Sequence, residues 1–118
     1  MIQKSFVKQV ADYCKIMGDE QRLKILRILA SNMKNTVTVS DIAQILDISQ
    51  PAVSRHLKLL ADFGILFRKK SGPNVFYSLN EEIINKYQNL IMLAWERGHK
   101  PCNHGFKCDT CPNTETCV

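Results

Sequence analysis

At 118 residues the chain fits one small domain, and a core of that size gains from a further buried interface. Its 45% hydrophobic and 23% charged residues are ordinary globular values, and no apolar run nears the roughly eighteen residues that a membrane span needs. The net charge of +5 is unevenly placed: between Ser49 and Phe76, Arg55, Lys58, Arg68, Lys69 and Lys70 stand against Asp62 alone, a basic block that suits a polyanionic partner as well as a merely solvated surface.

The N-terminal segment "MIQKSFVKQVADYC" mixes polar and apolar residues and has no signal-peptide core. A cytoplasmic protein is expected, in which clustered thiols stay reduced and suit metal binding or redox sensing more than disulfides. Phe6, Val10, Tyr13, Cys14 and Met17 recur at helical spacing, which predicts a helix over 3–17 ended by Gly18. Cys14 lies on that stripe and is expected as a small buried core residue. Asp19 is a plausible N-cap for the next helix, with Leu23, Leu26 and Leu29 as apolar positions beside Ile25 and Ile28. The β-branched "NTVTV" reads as a brief strand. Ser40 is then expected to cap the short helix "DIAQIL", "DIS" to make a turn, and Ser49 to cap another helix with Pro51 in its first turn. That helix buries Val53, Leu57 and Leu60 and stops at Gly64.

Two β-prone runs follow, "ILFRKK" and "VFYSL", and the turn-formers "SGPN" between them predict a hairpin. Asn80 caps a long helix over 81–97, closed by Gly98. Ile83, Ile84, Tyr87, Leu90, Ile91, Met92, Leu93, Ala94 and Trp95 cover most of its circumference in the second half. A helix apolar on so many sides needs more than one partner, and in a chain this short a second subunit is the natural one.

Helix, tight turn, helix and hairpin is the order of a winged helix-turn-helix, so the expected class is mainly α with a small β-hairpin wing. In "SDIAQILDISQPAVSRHLKLLADFGI" the second helix divides into an apolar stripe of Val53, Leu57 and Leu60 and a polar stripe of Gln50, Ser54, Arg55 and Lys58. Amide and hydroxyl groups can hydrogen-bond base edges, while Arg and Lys reach guanine or phosphate. Ser49 stands at the start of this helix. Lys69, Lys70 and Asn74 near the hairpin tip fit a wing on the flanking DNA backbone. Double-stranded operator DNA is therefore the expected partner, with no membrane.

"MGDEQRLKILRIL", "VSDIAQILDISQPAVSRHLKLLADFGIL" and "RKKSGPNVFYSL" resemble the ArsR/SmtB family of bacterial and archaeal repressors, over roughly residues 10–97. The resemblance implies a homodimer through the first and last helices. It also implies operator binding relieved by an inducer, often a metal ion or a thiol-reactive species. By position, Gln50, Ser54, Arg55 and His56 match the family's DNA-contacting segment, although a histidine between apolar neighbours suits an orienting or packing role as well. Two of the family's inducer sites lack their ligands here. Thr38 and Ser40 stand where a cysteine pair would lead into the helix before the recognition helix, and a hydroxyl cannot replace a thiolate for a soft ion. The last helix offers Glu81, Glu82 and Glu96, with His99 beyond it, and no His pair at i, i+3 or i+4.

The expected organisation is a winged helix-turn-helix and dimerisation domain at 1–98 and a cysteine-rich tail at 99–118. Cys102, Cys108, Cys111 and Cys117 are spaced C-x5-C-x2-C-x5-C. Two residues between Cys108 and Cys111 let a tight turn aim both sulfurs at one ion, and Cys102 and Cys117 could complete four thiolates. His99 and His104 are possible substitutes. Zinc leads as the ion, an iron–sulfur cluster is the alternative, and an arsenite-like thiophilic species suits three thiolates. Without a resident metal, the tail could act by reversible thiol chemistry. A thiol-redox enzyme is disfavoured because the CxxC is not at a junction within a βαβ pattern, and no catalytic constellation accompanies it. A zinc-knuckle interaction module is the third class.

Overall fold

The structure, a computed structural model, describes residues 5–33 and 37–97. Its elements are α1 (Phe6–Met17), α2 (Glu20–Ser31), α3 (Val39–Leu46), α4 (Gln50–Phe63), β1 (Leu66–Ser71), β2 (Asn74–Leu79) and α5 (Glu81–Arg97). They fall into two compact units: α1 through Lys15 with α5 from Ile84, and the stretch Ile16–Ile83.

In the second unit each helix starts on a side-chain cap. Asp19 Oδ1 accepts from the Arg22 amide at 3.1 Å and opens α2. Ser49 Oγ accepts from the Ala52 amide at 3.3 Å and opens α4, with Pro51 in the first turn, where its missing N–H costs no helical bond. Between them α3 opens on Thr38. Its hydroxyl accepts from the Asp41 amide at 3.1 Å, and the Asp41 carboxylate accepts from the Thr38 amide at 3.1 Å. This reciprocal box leaves two fewer amides without partners. The described residues of the expected brief strand, Val37 to Val39, form none: Val39 already belongs to a helix, and the cap is Thr38 rather than Ser40. Asn35 and Thr36 of that stretch lie outside the described residues.

The core of this unit joins Ile25, Leu26 and Leu29 of α2, Ile42 and Ala43 of α3, Val53, Leu57 and Leu60 of α4, and Ile65 and Leu66 leading into β1. Leu23, expected on the buried stripe, is 48% exposed, because the stripe of α2 runs through Ile25, Leu26 and Leu29 and leaves Leu23 off it. Two left-handed residues set the corners. Asp47 (φ 54°) ends α3, and Gly64 (φ 96°) ends α4. The hairpin is tighter than the four-residue signal suggests: Ser71 pairs with Asn74, so Gly72 and Pro73 alone form the loop. Gly72 has φ 59° and proline fixes a negative φ, the sign order of a type II′ turn. After the hairpin, the Asn80 amide donates to the Ile65 carbonyl at 2.8 Å and its side chain donates to the Gly64 carbonyl at 3.0 Å, while Oδ1 accepts from the Ile83 amide at 3.5 Å. Asn80 thus caps the first turn of α5 and bonds to the α4–β1 corner.

In the first unit Tyr13 is buried and its ring stacks on Tyr87 of α5, with centroids 4.6 Å apart and planes 7° from parallel. Ser5 Oγ accepts from the Lys8 amide at 3.1 Å at the head of α1. Cys14 is exposed, against expectation. One residue turns a helix by about 100°, and the buried side of α1 runs through Tyr13 instead. No apolar residue of α5 whose side chain is described is fully buried within the chain, and Met92 is 60% exposed. Gly98, the expected stop of α5, lies outside the described residues.

Candidate nucleic-acid interface

The division of α4 is sharp. Val53, Leu57 and Leu60 have no accessible surface, whereas Gln50, Ser54, Arg55 and Lys58 are all exposed. Apolar burial holds the inner stripe, and the outer stripe is left with donors, acceptors and positive charge. The start of α4 is pinned to the start of α3 by Gln50 Nε2, which donates to Ser40 Oγ at 3.3 Å. Ser40 therefore contributes a side-chain bracket between the two helices. Ser49 is exposed while its hydroxyl caps the helix.

His56 stands apart from this stripe. It is half-buried, and its Nδ1 lies 3.4 Å from Arg22 Nη1. The Arg22 side chain is only 15% exposed. Its Nε donates to the Ile16 carbonyl at 2.7 Å, and Nη1 lies 3.7 Å from Asp19 Oδ2. The hydrogen bond from the Arg22 amide holds the Asp19 carboxyl below its ordinary range. The Arg22 guanidinium and the His56 ring act in the same direction, and partial burial opposes them. Sequence reasoning identifies the Asp19 cap but misses Arg22, because its partner on α4 is 34 residues away and no local pattern announces that contact.

The wing carries exposed Lys69, Lys70 and Asn74. Lys69 pairs with Phe76 and Lys70 with Val75, so the two lysines point to opposite faces of the ribbon, as successive strand residues must. Asn74 pairs with Ser71 beside the turn. The structure thus brings Ser49, Gln50, Ser54, Arg55 and Lys58 onto one helix, leaves His56 at the edge of its buried side, and places Lys69, Lys70 and Asn74 on the hairpin.

The described residues hold no group of three or more His, Cys, Asp or Glu side chains placed for a metal ion. Cys102, Cys108, Cys111, Cys117, His99 and His104 lie outside them. The α3 positions are in other use: Thr38 caps the helix and Ser40 accepts from Gln50. No helix among the described residues is long and apolar enough to cross a membrane.

Two helices joined by a tight turn, the second with an exposed polar and basic stripe, followed by a basic hairpin, define a winged helix-turn-helix DNA-binding regulator. Comparison with known proteins agrees. Residues 19–66 match the model of the bacterial regulatory protein, arsR family. The chain is 40% identical over 81 residues to the arsenical resistance operon repressor of Escherichia coli (strain K12), spanning 69% of this chain and 68% of that one. It is 35% identical over 77 residues to a cadmium resistance transcriptional regulatory protein CadC homolog of Staphylococcus aureus, spanning 65% of this chain and 62% of the relative. Among solved structures it resembles reduced HlyU from Vibrio cholerae N16961, at 31% identity and a TM-score of 0.57, over 74% of this chain and 90% of that one. The chain belongs to the ArsR family and is a DNA-binding transcriptional repressor.

Proposed function

We propose that this repressor binds a palindromic operator as a homodimer, reads base edges with α4, and is released when a thiophilic ion binds its four tail cysteines. The observation that carries the DNA half is the split of α4, with Val53, Leu57 and Leu60 sealed and Gln50, Ser54, Arg55 and Lys58 exposed. Ser54 and Arg55 reach base edges or the adjoining phosphates, Ser49 and Lys58 flank them, and Lys69, Lys70 and Asn74 follow the backbone beside the site. The half-exposed apolar residues of α5 supply the dimer surface, and a dimer would present two α4 helices to successive major grooves about 34–36 Å apart.

The ion half rests on donor chemistry. Four thiolates at C-x5-C-x2-C-x5-C fit a soft ion, and the α3 hydroxyls do not. Relatives named for arsenical and cadmium resistance favour the same class of effector. Zinc suits four thiolates as a resident ion, and an iron–sulfur cluster would need the same donors. The tail follows directly on α5, so ordering it around an ion could alter how two subunits are set against each other.

A titration against a palindromic duplex tests both halves. Wild-type protein should bind one dimer per two half-sites, with affinity falling steeply with salt. Replacing Ser54 and Arg55 by Ala should cost about 1–3 kcal/mol and erase the sequence preference; an unchanged preference would remove α4 from its reading role. Elemental analysis for zinc, iron and sulfide on protein purified without oxygen identifies any resident ion. Cadmium or arsenite should then release wild-type protein from the duplex, and a Cys108→Ser, Cys111→Ser variant should lose both the thiol-bound ion and the release. Release that survives the double substitution would place sensing elsewhere.

A further inference from the structure

We infer that Arg22 and His56 form a latch that sets the position of α4, so that both are positioning residues for operator recognition. The inference rests on α4 being the reading helix. Three parts of the chain meet at Arg22. Its Nε donates to the Ile16 carbonyl in the last turn of α1 at 2.7 Å, where helix carbonyls lack intrahelical partners. Its amide and guanidinium both engage Asp19, the cap of α2. Its Nη1 faces His56 Nδ1 on α4 at 3.4 Å. With 15% of its surface exposed, the side chain is held from several directions.

The chemistry of the contact assigns the roles of the two side chains. A guanidinium has five donors and no acceptor. The contact is a hydrogen bond when Nδ1 carries no proton and accepts from the guanidinium. In that arrangement His56 meets Arg22 rather than DNA phosphate. It is the acceptor that fixes α4 to the α1–α2 corner.

The latch supplies what the core does not. Val53, Leu57 and Leu60 bury α4 through apolar contact, which is not directional. Hydrogen bonding to base edges needs side chains placed to within about 0.5 Å. A directional bond at His56, one residue from Arg55 and two from Ser54, restrains the rotation and slide of the helix where those side chains leave it.

Operator affinity, affinity for an unrelated duplex, and thermal unfolding should be measured side by side on the full-length protein. His56→Ala and Arg22→Gln should each weaken operator binding on the order of tenfold, the ratio that one charge-assisted hydrogen bond corresponds to. Binding to the unrelated duplex should be unchanged. The double variant should be no weaker than the weaker single one, because both remove the Arg22–His56 bond. His56→Asn, whose Oδ1 falls near the Nδ1 position, should restore most of the affinity lost in His56→Ala. His56→Gln, whose polar end reaches toward the Nε2 position, should not. Restoration by Gln and not Asn would mean that Nε2 touches the operator and would overturn the latch. Additive losses in the double variant, or losses that follow the unfolding temperature across the set, would overturn it too. Ser54→Ala and Arg55→Ala belong in the same assay: if they leave sequence preference intact, the failure is in the role of α4 and not in the latch.

Discussion

Gly64 and Asp47 sit in the left-handed region at the ends of two helices, and they make opposite demands on the side chain. Gly64 has φ 96° at the end of α4, and a Cβ added there would meet nothing within 4 Å. The cost of adding one is therefore backbone strain alone. Gly64→Ala should destabilise the protein by about 1–2 kcal/mol, read as a lower urea midpoint with an unchanged slope. Loss of that size without a steric clash would separate conformation from packing; a neutral result would show that the α4–β1 corner relaxes freely. Asp47 at φ 54° already carries a side chain, and a short polar one is what that region tolerates best outside glycine. Gly64 is legible in the sequence because glycine ends helices so often. Asp47 is legible only as part of a turn, since "DIS" does not say which residue takes the positive φ.

At the scale of elements, caps decide where helices begin, and they separate what sequence reasoning resolves from what it does not. Asp19, Ser49 and Asn80 are readable because each is an isolated capping side chain ahead of an apolar period. "TVTVS" offers several hydroxyls in alternation with valines, which imitates a strand. What selects Thr38 is Asp41 three residues on, able to return the hydrogen bond; Ser40 has Ala43 at that position and cannot form the box. Cys14 and Leu23 fall off their expected buried faces for a different reason: an apolar period spans more residues than one face can bury, and only tertiary packing chooses among them. The Asp19 cap carries a pH signature. Its carboxyl is depressed, chiefly by the Arg22 amide, so its stabilising contribution is present above the ordinary carboxyl value of about 3.9 and disappears as pH falls through the lower, folded value. Asp19→Asn retains a good cap without the charge. Urea midpoints from pH 7 down to about 2 should fall less on the acid side for that variant than for wild type. Parallel profiles would assign the acid loss to other carboxylates.

For the whole molecule the question is what covers α5. Residues 84–97 and the first part of α1 form a unit of their own, in which the buried Tyr13 stacks on Tyr87. Val7 on α1 is 54% exposed and Met92 on α5 is 60% exposed. Large apolar side chains left open on two helices of a small domain mark a surface that gains by burial against a second copy. A two-fold interface repeats every contact, so one altered residue acts twice. If the folded state is dimeric and the unfolded state is not, each tenfold dilution removes about 1.4 kcal/mol from the stability of the dimer, and Tm falls with it. Wild-type protein should therefore show a Tm that rises with concentration. Met92→Glu would set two carboxylates into an apolar contact at a high desolvation cost. Sedimentation should then shift toward the monomer, and operator binding should weaken because two half-sites are no longer engaged by one particle. A Tm independent of concentration in wild type, together with a Met92→Glu protein that sediments and binds as wild type does, would take this face out of the interface and leave α5 in need of a different partner.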